Sequence, residues 1–244
     1  MRAFGASVTA AGALVALQAQ IARRRDYLRL APDDELFESA GASERLLHLV
    51  VIGDSTAVGV GAGSKRRSYP ALLADRLGRH VSTRLTVLGR PGLRWQHIPE
   101  LLAEVTTIDP DMVLIGVGGN DAIHLTPMFS VRATVASVLG ELQRARAAVL
   151  VVLGPRFDSP AIPRPLRDLI AVRCRAVNRA IVAAASAAGV RVVDTESVIT
   201  DRFARDPIRL YSEDLFHPSA AGYEVWAGAI ERHLVAAAAL GRSL

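Results

Sequence analysis

The sequence predicts a three-layer α/β/α domain, in which helices cover both faces of a doubly wound, mainly parallel sheet of five strands. Three observations lead there. Short apolar runs rich in Val, Leu and Ile recur along the chain, and each stops at a glycine or an aspartate. Longer amphipathic stretches separate them. The polar motifs of interest follow the first three runs directly, where an open α/β sheet places its ligand crevice.

The strand candidates are residues 46–52, ending at Gly53, and 85–88, ending at Gly89, followed by 112–117, ending at Gly118. Residues 147–153 end at Gly154, and 190–193 at Asp194. Near-continuous apolar runs of this length suit parallel strands buried on both faces. Helices are expected at residues 70–77, 98–105, 130–145, 166–188 and 219–239. Cys174, the one cysteine, falls in the fourth of these and cannot form an internal disulfide; a small buried hydrophobe is its expected role.

The domain is expected over residues 41–244, preceded by an N-terminal apolar helix and linker over residues 1–40. Residues 3–22 carry no charge but are only weakly hydrophobic, diluted by Ser7, Thr9, Gln18 and Gln20. A cleaved signal peptide fits poorly, because the arginines follow the apolar run and no small-x-small site ends it. Residues 3–25 are therefore a candidate for membrane association, either as a span or as a helix on the domain or the membrane surface. For a span, Arg23, Arg24 and Arg25 hold the domain on the cytoplasmic side, attached to the inner face; export stays open.

The net charge is +5, with a single lysine, Lys65, and arginines scattered through every segment. With no aromatic-interleaved basic patch, nucleic acid is not an expected partner. The 50% apolar and 22% charged composition is that of a globular chain rather than a disordered one.

Four motifs carry candidate chemistry. Gly53-Asp54-Ser55-Thr56 follows the first strand, and a serine in a tight turn there can present its hydroxyl to the crevice. The tetrapeptide alone reads equally as a capping turn or a phosphate loop, although neither GxxxxGK[ST] nor GxGxxG is present. Gly89-Arg90-Pro91-Gly92 reads as a turn that can bring a backbone N–H close to a ligand. Gly118-Gly119-Asn120-Asp121 offers the Asn120 amide as a neutral donor, or else a simple Asx turn. Asp214-Leu215-Phe216-His217-Pro218-Ser219 holds a histidine beside a carboxylate. There Pro218 suits a first helical position, and Asp214 can fix the histidine tautomer. His80, His97, His124 and His233 are expected in surface or packing roles.

In this order, each at an expected loop, the four blocks resemble the SGNH/GDSL hydrolases over roughly residues 46–239. The resemblance implies a flavodoxin-like fold and a serine esterase that forms an acyl-enzyme on carboxylic esters. By motif, Ser55 is the nucleophile, His217 the general base and then acid, and Asp214 the residue that orients the histidine. The Ser55 N–H, the Gly92 N–H and the Asn120 amide form the oxyanion hole. Two positions depart from the family pattern: Thr56 replaces a leucine, and Leu215 stands where many relatives have glycine. The resemblance implies a small-molecule or lipid ester substrate and no metal or organic cofactor. It leaves oligomeric state and substrate-binding residues open. A carbohydrate O-acetyl esterase is the enzymatic alternative, and a non-catalytic α/β ligand-binding module the alternative from another class. Leu93, Trp95, Ile123, Met128 and Phe129, which follow the oxyanion segments, are candidates for an acyl pocket or for ordinary core.

Overall fold

The computed structural model describes residues 13–21, 28, 37–39, 46–145, 147–156 and 158–240. Its sheet has six strands: β1 (Phe37–Ser39), β2 (Leu46–Gly53), β3 (Ser82–Gly89), β4 (Met112–Gly116), β5 (Ala148–Val152) and β6 (Arg191–Val193). They lie in the order β1-β3-β2-β4-β5-β6. The five expected strands are β2 to β6, all parallel. The sixth, β1, pairs antiparallel with β3 along the edge, Phe37 opposite Leu85. It lies in the stretch expected as linker, where three residues are too short to give a periodic signal.

Helices cover the sheet: α1 (residues 13–21), α2 (Tyr69–Gly78), α3 (Leu102–Ile108), α4 (Gly119–Ile123), α5 (Met128–Leu142), α6 (Leu166–Ala187), α7 (Glu196–Arg205), α8 (Pro207–Leu210) and α9 (Ala220–Leu240). The period-two alternation of the strands sorts their side chains into two cores. Leu49 and Val51 of β2 and Leu114 of β4 pack with Leu73 of α2, Phe203 of α7 and Ile230 of α9. Val50 and Ile52 of β2 and Ile115 of β4 pack with Val105 of α3, Val135 of α5 and Ile181 of α6. This is why the strands read as continuous apolar runs.

The helix expected at 98–105 is a 3₁₀ segment (Trp95–Leu101) running into α3, because Pro99 lies within it. The short α4 and α8 and the polar α7 were not anticipated. Among the described residues, no helix is long and apolar enough to cross a membrane. Of residues 3–25, only 13–21 are described, as α1.

The topology positions the site. The chain leaves β2 for β3 on one side, then returns to place β4 on the other. The carboxyl ends of β2 and β4 therefore flank the switch point where such sheets open a crevice. Gly53 lies in register with Gly89 and with Gly116, so the turns after β2, β3 and β4 begin at one level.

Candidate active site

Ser55 lies in the turn immediately after β2. The Asp54 carbonyl accepts from Ala57 and Val58 N–H, and the Ser55 carbonyl from Val60 N–H, which winds the chain tightly around the serine. Among the described residues, neither the Ser55 N–H nor the Gly92 N–H has a hydrogen-bond partner. Gly92 itself has φ +79°, a left-handed conformation that glycine adopts without strain.

The serine meets a loop from the far end of the chain. Ser55 Oγ lies 3.1 Å from His217 Nε2, and His217 Nδ1 lies 2.7 Å from Asp214 Oδ2. Both partners are buried. An ionised carboxylate only accepts, so Nδ1 carries the proton toward Asp214 and Nε2 is left to accept from the serine hydroxyl. Close approach of the two loops depends on Gly61, at φ +87°. A Cβ there would come 2.5 Å from the Pro218 carbonyl oxygen and 3.1 Å from His217 Cβ. Tyr223 Oη of α9 donates to the Val60 carbonyl at 2.7 Å, tying the same loops together.

Asp214 is surrounded by donors. Oδ1 accepts from Ser212 Oγ, Phe216 N–H and His217 N–H at 2.8, 2.8 and 2.9 Å. Oδ2 accepts from His217 Nδ1 and from Leu28 N–H, the latter at 3.4 Å. Burial alone would raise its pKa. The hydrogen bonds from the His217 ring, the His217 and Phe216 N–H groups and Ser212 together outweigh it and hold the carboxyl well below its ordinary range.

The Asn120 side chain comes from α4, directly after β4. Its Nδ2 donates to Asp54 Oδ2 at 3.1 Å, while Asp54 Oδ1 accepts from Thr56 N–H and Oγ1. A carboxamide has two N–H donors, so this bond fixes the amide plane and leaves the second donor for a ligand. Burial pushes the Asp54 carboxyl above its ordinary value, with Thr56, His217 and Asn120 pulling the other way.

A profile of the GDSL-like Lipase/Acylhydrolase family matches residues 51–225, from the middle of β2 into α9. The chain belongs to this family. Over 183 residues it is 30% identical to a GDSL-like esterase of Mycobacterium tuberculosis, a match covering 72% of this chain and 58% of that protein. The chain thus matches less than two thirds of that relative's length. Among solved structures, a lipase/acylhydrolase from Enterococcus faecalis superposes with a TM-score of 0.63 at 21% identity, covering 77% of this chain and 95% of the other. A phospholipase A1 from Streptomyces albidoflavus gives 0.59 at 22%, covering 76% and 98%. These structural likenesses establish the fold.

Within this GDSL-family chain, the structure brings Ser55, His217 and Asp214 into one hydrogen-bonded line. Asn120 reaches the same region through Asp54, and Gly92 lies in the turn after β3. Pro218 departs from expectation: it pairs in an isolated bridge with Tyr211, and α9 begins only at Ala220. Ser219 takes the capping place, accepting from Gly222 N–H at 3.2 Å. Leu93 and Trp95 are fully buried core residues, whereas Phe129 is 76% exposed. Leu215 has φ +55°, the left-handed conformation that a glycine at this position would take freely. One local and one long-range bond hold it there: Leu215 N–H donates to Ser212 O at 2.9 Å, and Ser159 Oγ to Leu215 O at 2.7 Å.

Three supporting residues escaped the sequence reading. Asp54 and Asp121 lie within the motifs, but nothing local in the sequence marks their partners Asn120 and Trp95. Asp121 is fully buried and accepts from Trp95 N–H at 3.1 Å, joining the Asn120 helix to the segment after Gly92. Ser212 had a local signal, a hydroxyl two residues before the aspartate it bonds.

Proposed function

We propose that this protein is a serine esterase that hydrolyses carboxylic esters through Ser55, His217 and Asp214. The observation that carries the reading is the unbroken line from the Ser55 hydroxyl through the His217 ring to a buried, ionised Asp214. Ser55 Oγ attacks the ester carbonyl as His217 Nε2 takes its proton, and the same proton then goes to the departing alcohol. Water, deprotonated by His217, attacks the resulting acyl-enzyme and releases the acid and the free serine. The Ser55 and Gly92 N–H groups and the second Asn120 amide hydrogen receive the negative oxygen of both tetrahedral intermediates.

The substrate we infer is an ester with an apolar acyl group, as in a lipid. Leu125 and Phe129, which follow the Asn120 helix in sequence, are 66% and 76% exposed, and this apolar surface supports the reading. Residues 3–25 associate the domain with a membrane, on its cytoplasmic face, where such esters are found. The test compares the wild type with Ser55→Ala on soluble aryl esters of increasing acyl length. Wild-type turnover that persists beyond acetyl esters and is lost in Ser55→Ala supports the reading. Full activity in Ser55→Ala would overturn the mechanism, and strict acetyl preference would overturn the lipid substrate.

A further inference from the structure

In the mechanism proposed above, the two oxyanion donors outside the serine turn come from strands that do not touch. Gly92 follows β3 and Asn120 follows β4, and β2 lies between these strands. At a strand spacing of about 4.8 Å their loops begin roughly 10 Å apart, with no ladder hydrogen bond joining one directly to the other. Donors stabilise a developing charge only when held within about 0.5 Å of their productive positions.

Trp95 spans this gap. It is fully buried, and its two N–H groups end on the two sides of one tripeptide. The indole Nε1 donates to the Val117 carbonyl at 3.1 Å, and the backbone N–H donates to Asp121 Oδ2 at 3.1 Å. Val117 and Asp121 bracket Gly118-Gly119-Asn120. On the other side, Trp95 stands three residues after Gly92, and the chain between them is held. Leu93 N–H donates to the Arg90 carbonyl at 3.1 Å, closing the turn, and Arg94 N–H donates to His97 Nδ1 at 3.1 Å. A buried tryptophan needs an acceptor for its indole, and any nearby carbonyl would serve. Packing alone does not require both donors to converge on the Asn120 motif.

We propose that Trp95 is a positioning residue of the oxyanion hole, locking the Gly92 turn to the Asn120 motif so that their donors act as one rigid unit. The inference rests on the serine-esterase reading. With no exposed surface, Trp95 acts through the Gly92 N–H and the Asn120 amide rather than on substrate. Its effect therefore falls on the tetrahedral state, where the negative oxygen forms, and spares ground-state binding. Asp121 is the second anchor, and what matters there is an acceptor oxygen. Burial already pushes that carboxyl above its ordinary value.

The test measures turnover of a soluble aryl ester per active Ser55, counted with a fluorophosphonate. Alongside it runs inhibition by a trifluoromethyl ketone, whose adduct with the serine carries an oxyanion. Trp95→Phe keeps a large ring and the backbone N–H but loses the indole donor. It should lower kcat at least about tenfold, and by no more than the roughly 10²–10³ of losing a donor outright. KM should stay within about threefold, and affinity for the ketone should fall by the same factor as kcat/KM. Asp121→Ala should repeat this pattern, whereas Asp121→Asn, whose amide oxygen still accepts, should recover to within about threefold of wild type. In an Asn120→Ala background the Trp95→Phe loss should shrink at least about threefold, because one of the donors it aligns is gone. A purely structural tryptophan would lower the melting temperature of Trp95→Phe but leave kcat per active serine and ketone affinity unchanged, which would overturn the proposal. Equal Trp95→Phe losses with and without Asn120 would overturn it too. Turnover that survives Ser55→Ala would overturn the esterase reading beneath it. Turnover lost there but undiminished in Trp95→Phe would overturn this inference alone.

Discussion

Two buried carboxylates flank Ser55, and their environments push them in opposite directions. Asp54, in the turn after β2, accepts from Thr56 twice and from Asn120 once, and burial raises its pKa. Asp214, in the loop before α9, accepts from Ser212, Phe216, Leu28 and His217, the last through both ring and backbone. Its donors outweigh burial, and its pKa falls. A carboxylate surrounded by donors keeps its charge, whereas a buried one with fewer donors is costlier to ionise. In the proposed mechanism the two therefore differ in kind. Asp214 works through its negative charge on an imidazolium, and Asp54 works as an acceptor that aims the Asn120 amide.

Substitutions that remove charge but keep shape should separate these roles. Asp214→Asn should lower kcat by about 10⁴, the cost of losing the histidine tautomer and the charge that stabilises it. A folded Asp214→Asn enzyme with kcat within tenfold of wild type would break the comparison. Asn120→Ala should lower kcat by about 10²–10³ with the fold intact. Asp54→Asn should cost no more than Asn120→Ala, and the double variant no more than Asn120→Ala alone, because Asp54 acts through that amide. Additive losses in steady-state kinetics would give Asp54 a role of its own.

Stability against pH should show the same opposition. A depressed carboxyl contributes stability that is present above its ordinary value of about 4 and is lost as the pH falls through its lower folded value. Urea titrations should accordingly show Asp214→Asn with a flatter stability profile below about pH 4. A raised carboxyl acts in reverse: for Asp54, stability rises as the pH falls toward about 4, and Asp54→Asn should remove that rise. The smallest expected effect is at Leu215. Replacing it with glycine relieves about 1–2 kcal/mol of left-handed strain and returns roughly 0.4–1 kcal/mol of that as unfolded-chain entropy. Leu215→Gly should thus be neutral to about 1.5 kcal/mol more stable in urea, with kcat unchanged.

What the sequence made legible was whatever local pattern encodes. Apolar runs marked β2 to β6 because both sheet faces are covered, and the motifs after β2, β3 and β4 had to share a rim because parallel strands point one way. His217 stood out through Asp214 three residues away. Pro218 misled because its neighbour Tyr211, not α9, holds it. The support around the site was hidden because it is made across distance. Asp54 meets Asn120 across 66 positions, and Asp121 meets Trp95 across 26. Likewise, only the fold reveals that Gln18 is buried, its amide bonded to the Arg164 carbonyl and the Leu166 N–H, while Leu14 and Leu17 are exposed.

In the proposed mechanism His217 activates Ser55, and labelling with a fluorophosphonate probe reads that activation. The wild type should be modified rapidly at the peptide bearing Ser55, Ser55→Ala not at all, and a folded His217→Ala far more slowly. Equal labelling of Ser55→Ala, or modification mapped to another residue, would contradict it.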